Sequence, residues 1–197
     1  MIKIGVTGNM GAGKSTVCAF LADRGIPLYN ADDRAKTLMA TNDDLISKIQ
    51  IHFGNEAYKG GQLNRQYLAN QVFTNSTTLQ ELNELVHPAV HKDYNQWLAQ
   101  QIHPLCAYES AIIYEHNRQS YFDIIVLVTC PENLRLDRIQ KRDGLTIDEI
   151  KSRMRFQWHQ DQKIELADYV IENSSLLVAE EQLDQALSAI RTHFNIV

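Results

Sequence analysis

The 197-residue sequence is poor in the features that mark several protein classes. Its three cysteines, Cys18, Cys106 and Cys130, are odd in number, far apart and without metal spacing, which excludes a disulfide framework and a cysteine zinc site. Each sits in an apolar run, so all three read as reduced core residues of a cytosolic protein. No apolar run reaches the length of a membrane span. Met1 leads straight into a strand, so no signal peptide is expected. Basic residues are not in excess: 19 Lys and Arg against 24 Asp and Glu give a net charge of -5. That balance speaks against nonspecific binding to nucleic acid or an anionic membrane. Linkers, low-complexity tracts and internal repeats are absent. His52, His91, His103, His116, His159 and His193 offer no pair at the helical spacing of a zinc site and read as exposed or packed residues. Trp97 and Trp158 read as packing residues.

What is present is more specific. Gly8-Asn9-Met10-Gly11-Ala12-Gly13-Lys14-Ser15 fits G-x-x-x-x-G-K-[ST] without a mismatch. The apolar run Ile2–Thr7 before it reads as a buried strand. Residues 16–24 after it read as a helix that Gly25 ends. Glycines let backbone N–H groups close around an anion, and the following helix adds its orphan N–H groups and dipole. Lys14 brings a point charge to the β and γ phosphates. The Ser15 hydroxyl suits Mg²⁺, a hard cation that keeps several waters. A dinucleotide-binding G-x-G-x-x-G cannot be read here.

Strand and helix patterns alternate, which predicts an α/β fold with a mostly parallel sheet. Further strands are predicted at Pro27–Asn30, near Cys106–Glu109, at Ile124–Val128 before Pro131, and at Tyr169–Ile171. A final helix is expected over about Leu176–His193, with Leu183, Leu187 and Ile190 on its apolar face. Residues 41–103 are mainly helical and polar, broken by Gly54, Gly60-Gly61 and His87-Pro88, and read as a helical insertion within one domain covering 1–197. Thr146-Ile147-Asp148-Glu149 is a capping box. The helix before it, Glu132–Arg142, carries Arg135, Arg138 and Arg142 on one face, which suits either a phosphate grip or a solvated surface. Two helices joined by Asp143-Gly144-Leu145 make a lid over about 132–160.

A P-loop says that a nucleoside triphosphate binds, not what becomes of its γ-phosphate. GTPases need an Asp-x-x-Gly switch and an Asn/Thr-Lys-x-Asp base-reading motif, and neither occurs. A small α/β chain with an arginine-rich lid suits a small-molecule kinase. Asn30-Ala31-Asp32-Asp33 closes the second strand at the carboxyl edge of the sheet, where ligands of such sheets bind. A carboxylate there either takes a proton from an attacking hydroxyl or holds water around Mg²⁺; its structural alternative is an N-cap for a helix starting near Asp33. His87 before Pro88 reads as a helix break. Arg65 stands at a helix start, as a substrate contact or a surface residue.

Taken in order, these segments resemble the dephospho-CoA kinases over nearly the whole chain. The P-loop within Thr7–Thr16 is followed by Asn30-Ala31-Asp32 for the family's Asp-x-Asp, then Phe53-Gly54, the turn Gly61–Arg65 and Val72-Phe73. Leu82-x-x-Leu85-Val86-His87-Pro88 resembles the His-Pro motif, and Ala111–Glu115 the Pro-Leu-Leu-aromatic-Glu motif. Leu134–Asp143 resembles the lid, and Met154–Gln157 and Ala167–Asn173 close the series. The resemblance implies a three-layer α/β/α P-loop fold with a five-stranded sheet. It implies transfer of the ATP γ-phosphate to the ribose 3′-hydroxyl of dephospho-CoA, the last step of CoA synthesis. A kinase for a nucleoside monophosphate or a sugar acid, or a non-catalytic nucleotide-binding module, are the rival readings.

Carried over residue by residue, the resemblance makes Asp32, Lys14 and Arg138 catalytic. Gly11, Ala12, Gly13, Lys14, Ser15, Thr16, Arg142 and Asn173 would bind ATP, with Asn173 near the adenine. Asp32, Arg65, His87, Tyr114 and Glu115 would bind the acceptor. Ser15 would hold Mg²⁺, with Glu109 or Asp32 acting through water. Asn30 replaces the family's first aspartate, and Glu109-Ser110-Ala111 stands where the family often has Asp-hydrophobic-Pro. The expected partners are ATP and dephospho-CoA alone, for a cytoplasmic monomer or weak homo-oligomer.

Overall fold

In the computed structural model, residues 1–74 and 76–196 are described, without the side chains of 73, 74 and 76; the Phe73 side chain of the Val72-Phe73 pair therefore lies outside the described residues. In chain order the elements are β1 (Ile2–Thr7), α1 (Lys14–Asp23), β2 (Leu28–Asn30), α2 (Ala31–Thr41), α3 (Asp43–Phe53), β3 (Tyr58–Lys59), β4 (Gln62–Leu63), α4 (Arg65–Thr74) and α5 (Ser76–Leu98). There follow β5 (Leu105–Glu109), β6 (Ile124–Thr129), α6 (Glu132–Asp143), α7 (Ile147–Met154), α8 (Gln160–Ile164), β7 (Tyr169–Glu172) and α9 (Leu176–His193). The chain divides into two compact units, residues 1–29 with 101–197, and residues 30–100. None of the described helices is long and apolar enough to cross a membrane.

The first unit is built on a five-stranded sheet in the order β2-β5-β1-β6-β7. β1 lies between β5 and β6 and runs parallel to both, and β7 runs parallel to β6. The near-continuous apolar runs of β1, β5 and β6 are what a sheet covered on both faces requires. Alternation along the strands sorts the side chains. Ile4, Val6, Leu105, Ala107, Val126 and Val128 enter a core with Val17 and Leu21 of α1 and Leu183, Leu187 and Ile190 of α9. Burial of each valine, leucine or isoleucine among them contributes about 1.5–3 kcal/mol. The other face is aromatic: Tyr108 stacks on Tyr29 at 5.4 Å between ring centres and meets Phe122 at 5.1 Å. All three cysteines are buried and outside any disulfide. The predicted strands and α9 are thus in place, and the fold is the expected α/β/α.

The second unit is helical. Leu38, Leu45, Ile49, Phe53, Leu68, Val86 and Val90 are buried in it. Polar ties complete its packing: the Tyr58 hydroxyl donates to the Met39 carbonyl at 2.7 Å and the Tyr67 hydroxyl to the Phe53 carbonyl at 2.9 Å. Gly60 and Gly61, read as a break, form the turn of a short antiparallel hairpin between β3 and β4. Both have positive φ, 58° and 77°, the pair of left-handed residues that a tight primed turn demands.

His87-Pro88 does not end a helix as expected. Pro88 lies inside the 23-residue α5. A proline there removes one backbone bond and strains the preceding turn, at about 3 kcal/mol. Val86 and Val90 on either side of it are buried, and packing of that stripe along α5 outweighs the local cost.

Candidate active site

The P-loop joins β1 to α1. Gly13 takes the N-cap position with φ 87°, and no side chain caps α1, so the positive end of this helix is left to whatever the loop encloses. A side chain at Gly13 would collide with the Asn173 amide and stand 3.4 Å from Arg138 Nη1. Glycine is needed there for space as well as for backbone conformation.

Asn173 and Arg138 form a chain of contacts onto the loop. The Asn173 amide donates to the carbonyls of Ala12 (3.0 Å) and Gly13 (3.3 Å). Arg138 Nη2 in turn donates to the Asn173 carbonyl at 3.0 Å, and Nη1 to Cys130 Sγ at 3.3 Å. The position of Asn173 itself comes from the sheet, since its N–H donates to the Thr129 carbonyl at 2.8 Å. The spacing of the three lid arginines placed them on one face, but their surroundings differ. Arg138 reaches the loop. The Arg142 guanidinium pairs with exposed Asp143 at 2.7 and 2.8 Å. Arg135 is buried, with its carbonyl close to Gly11; burial lowers the pKa of its guanidinium, against the pull of Glu132. The expected capping box is formed, with Thr146 and Glu149 exchanging bonds at the start of α7.

Lys14 Nζ donates to the Gly8 carbonyl at 2.9 Å and lies 3.8 Å from Glu109 Oε1, with both side chains largely buried. Glu109 gets there by register: it ends β5 opposite Val6, one residue before the loop's Thr7-Gly8. Burial, reinforced by the Glu109 charge, pushes the nearby Cys18 thiol up to about 12, so Cys18 is not a nucleophile at neutral pH. Among the described residues, the buried oxygens Thr7 Oγ1, Asn9 Oδ1 and Asn173 Oδ1 have no hydrogen-bond partner. Such orphan oxygens are rare in a closed core and mark a place where polar matter is received. No group of three metal-binding side chains occurs among the described residues. The donor set around the loop, the Ser15 hydroxyl and one carboxylate, fits a hard cation held mainly by phosphate oxygens and water.

Tyr114 and Glu115 lie in the turn after β5, and both are largely buried. The Tyr114 phenol has no hydrogen-bond partner among the described residues, and burial, with the charge of Asp168, pushes its pKa up to about 12. Glu115 forms an ion pair of 2.7 Å with Lys163 of α8, whose side chain is fully buried. Burial pulls the Lys163 pKa down, and the bond to Glu115 opposes it. Glu115 Oε1 also accepts from the Trp158 N–H at 2.9 Å, and the Trp158 ring stacks on Tyr114 with centres 6.3 Å apart. Neither Lys163 nor Gln157 was singled out from sequence. Lys163 sits in a short polar helix with no mark of burial, and Gln157 was only the end of a motif.

In the helical unit, the cap of α2 is Asn30, not an aspartate: its Oδ1 accepts from the Asp33 N–H at 2.9 Å. The helix therefore starts at Ala31, earlier than expected, because an asparagine cap serves as well as an aspartate. Asp32 and Asp33 occupy the first turn, exposed. The Asp33 carboxylate pairs with Lys36 at 2.8 Å. Arg65 begins α4, exposed, and His87 lies half-buried on α5.

A family model described as dephospho-CoA kinase matches residues 2–179. A dephospho-CoA kinase of Porphyromonas gingivalis is 33% identical over 193 residues, which are 98% of this chain and 96% of that protein. The crystal structure of TT1252 from Thermus thermophilus is similar at a TM-score of 0.83 and 32% identity, covering 98% of this chain and 97% of its own. A dephospho-CoA kinase from Campylobacter jejuni shares the fold at a TM-score of 0.61 and 23% identity, with 95% and 96% of the two chains covered.

Proposed function

We propose a mechanism from one premise: this chain belongs to the dephospho-CoA kinase family. It is a kinase that takes ATP and phosphorylates the ribose 3′-hydroxyl of dephospho-CoA, giving CoA and ADP. The observation that carries the mechanism is the P-loop with Arg138 moored to it through Asn173. In our reading the loop and the α1 N-terminus hold the β and γ phosphates through residues 11–16, and Lys14 exchanges the Gly8 carbonyl for phosphate oxygens. Arg138 meets the charge that develops on the transferring group. Asp32 orients the 3′-hydroxyl and takes its proton as the oxygen–phosphorus bond forms and the bond to the ADP oxygen breaks.

Ser15, with Glu109 or Asp32 through water, would hold Mg²⁺, which would supply further neutralisation of the phosphates. Arg142 and Asn173 belong to the ATP side. Arg65, His87, Tyr114 and Glu115 belong to the acceptor side, with buried Glu115 acting by fixing the turn that carries Tyr114. The helices of 41–103 serve the acceptor, and those of 132–160 act as a lid that excludes water. The same reading makes the protein a cytoplasmic monomer or weak homo-oligomer.

The test is ADP release from ATP and Mg²⁺ with dephospho-CoA, beside adenosine, AMP and gluconate. Release with dephospho-CoA alone is expected. Preference for AMP or gluconate would move the protein to another kinase class, and release with none would leave a nucleotide-binding module.

A further inference from the structure

Two neighbouring residues that follow the α6–α7 helices each touch both the P-loop and the turn after β5. Gln157 uses both ends of its amide. Oε1 accepts from the Met10 N–H at 2.8 Å, and Nε2 donates to the Ala111 carbonyl at 3.3 Å. Trp158 repeats the pattern with its backbone. Its carbonyl accepts from Asn9 Nδ2 at 2.9 Å, and its N–H donates to Glu115 Oε1 at 2.9 Å. Five residues on, Lys163 binds the same turn through Glu115 and through the Ala111 carbonyl at 3.4 Å. Asn9 and Met10 shape the loop that closes on phosphate. Ala111 and Glu115 bound the turn that holds Tyr114.

We infer that Gln157 is a positioning residue that couples the two, so that a filled nucleotide site and a filled acceptor site favour one another. A primary amide is planar and rigid, so its two ends cannot follow the loop and the turn independently. Ordering the loop on phosphates fixes Oε1, which fixes Nε2 and with it Ala111. A ligand at the turn then meets a surface already ordered, and by linkage the reverse holds. Trp158 and Lys163 keep the segment in register but lack the single group that touches both sides. The inference rests on the reading above that the turn with Tyr114 and Glu115 serves the acceptor.

The test uses the full chain and two variants. Gln157→Leu keeps the bulk and loses both bonds. Gln157→Glu keeps the acceptor for Met10 and loses the donor for Ala111. Calorimetry gives the Kd of dephospho-CoA with and without Mg²⁺ and the β,γ-imido analogue of ATP. The parent is expected to bind dephospho-CoA about 5-fold or more tightly with the analogue present, the lower end of ordinary coupling. In both variants the ratio falls to about 1, while the analogue alone binds Gln157→Glu nearly as it binds the parent. A purely structural staple would lower the melting temperature or weaken both ligands and leave the ratio intact. A ratio kept in either folded variant, or absent from the parent, overturns the inference. If Gln157→Leu does not fold, Gln157→Glu decides alone. A parent that binds no dephospho-CoA at all sinks the functional reading and this inference with it. A parent that binds and turns it over, with variants that keep the ratio, sinks the inference only.

Discussion

In the sheet unit, the P-loop, Glu109 and Asn173 hang from elements that the parallel sheet fixes. Glu109 is set opposite Val6 by strand register, and Asn173 is tied to the end of β6 before it reaches the P-loop. In the helical unit, Asp32, Arg65 and His87 stand on three different helices, and Asp32 and Arg65 are exposed at helix starts. In our reading the first arrangement is an anion site that its backbone completes before any side chain is counted. The second is a set of side chains whose meaning depends on a substrate. Loss of an ATP-side group in the sheet unit should therefore strike the chemical step, and loss in the helical unit should strike recognition of the acceptor, with Asp32 as the exception there; Tyr114 and Glu115 stand in the sheet unit but belong to the acceptor side.

The largest effect expected from this contrast lies between two arginines. Arg138→Ala removes the cation moored beside Gly13 and should cost roughly 10³–10⁵ in kcat, the range of arginines at a transferring phosphoryl group. Arg65→Ala should appear in KM for dephospho-CoA, with kcat much less affected. Steady-state kinetics on both variants check this. Comparable kcat losses would erase the contrast and remove Arg138 from its role.

Asp32 breaks the pattern from within the helical unit. Asp32→Asn should lower transfer by about 10²–10⁴, the usual worth of a positioned acid or base, while ATP still binds. Asp33→Asn should be nearly silent, because its carboxylate faces solvent beside Lys36, and such surface pairs contribute little. Single-turnover assays with nucleotide binding measured alongside separate the two. An inactive Asp33 variant beside an active Asp32 variant would shift the assigned base by one residue.

How much of this was legible in the sequence follows from how local each cause is. β1, the P-loop and α1 are contiguous, and their residues announce both shape and chemistry. β6 and α9 carry unambiguous apolar runs and periods. Periodicity placed Arg135, Arg138 and Arg142 on one face but said nothing of depth, and the three ended buried, moored and exposed. Lys163 was invisible because what licenses its burial is Glu115, far along the chain. Pro88 misled because the local rule for proline is sound and the packing of Val86 and Val90 overrode it. The β3–β4 hairpin, two residues a strand, is too short to show any period. In the helical unit the roles of Arg65 and His87 came from family resemblance alone, which is why the kinetic tests matter most there.

The smallest effect tests whether the sheet unit holds its loops as firmly as its strands. His116 follows Glu115 in the turn after β5. Burial lowers its pKa from 6.5, Arg118 acts in the same direction, and Glu115 opposes them. In the unfolded chain the imidazole regains its ordinary value. Between the lowered value and 6.5 the unfolded state binds more protons, so stability rises with pH there. This contribution is fully present above the unfolded value and is lost as pH falls through the window below it. His116→Gln abolishes the difference. The fall in melting temperature between about pH 7.5 and about pH 5 should therefore be smaller in the variant than in the parent. Equal falls in the two proteins would mean that water reaches the imidazole, and that the turn carrying Tyr114 is looser than the strand it leaves.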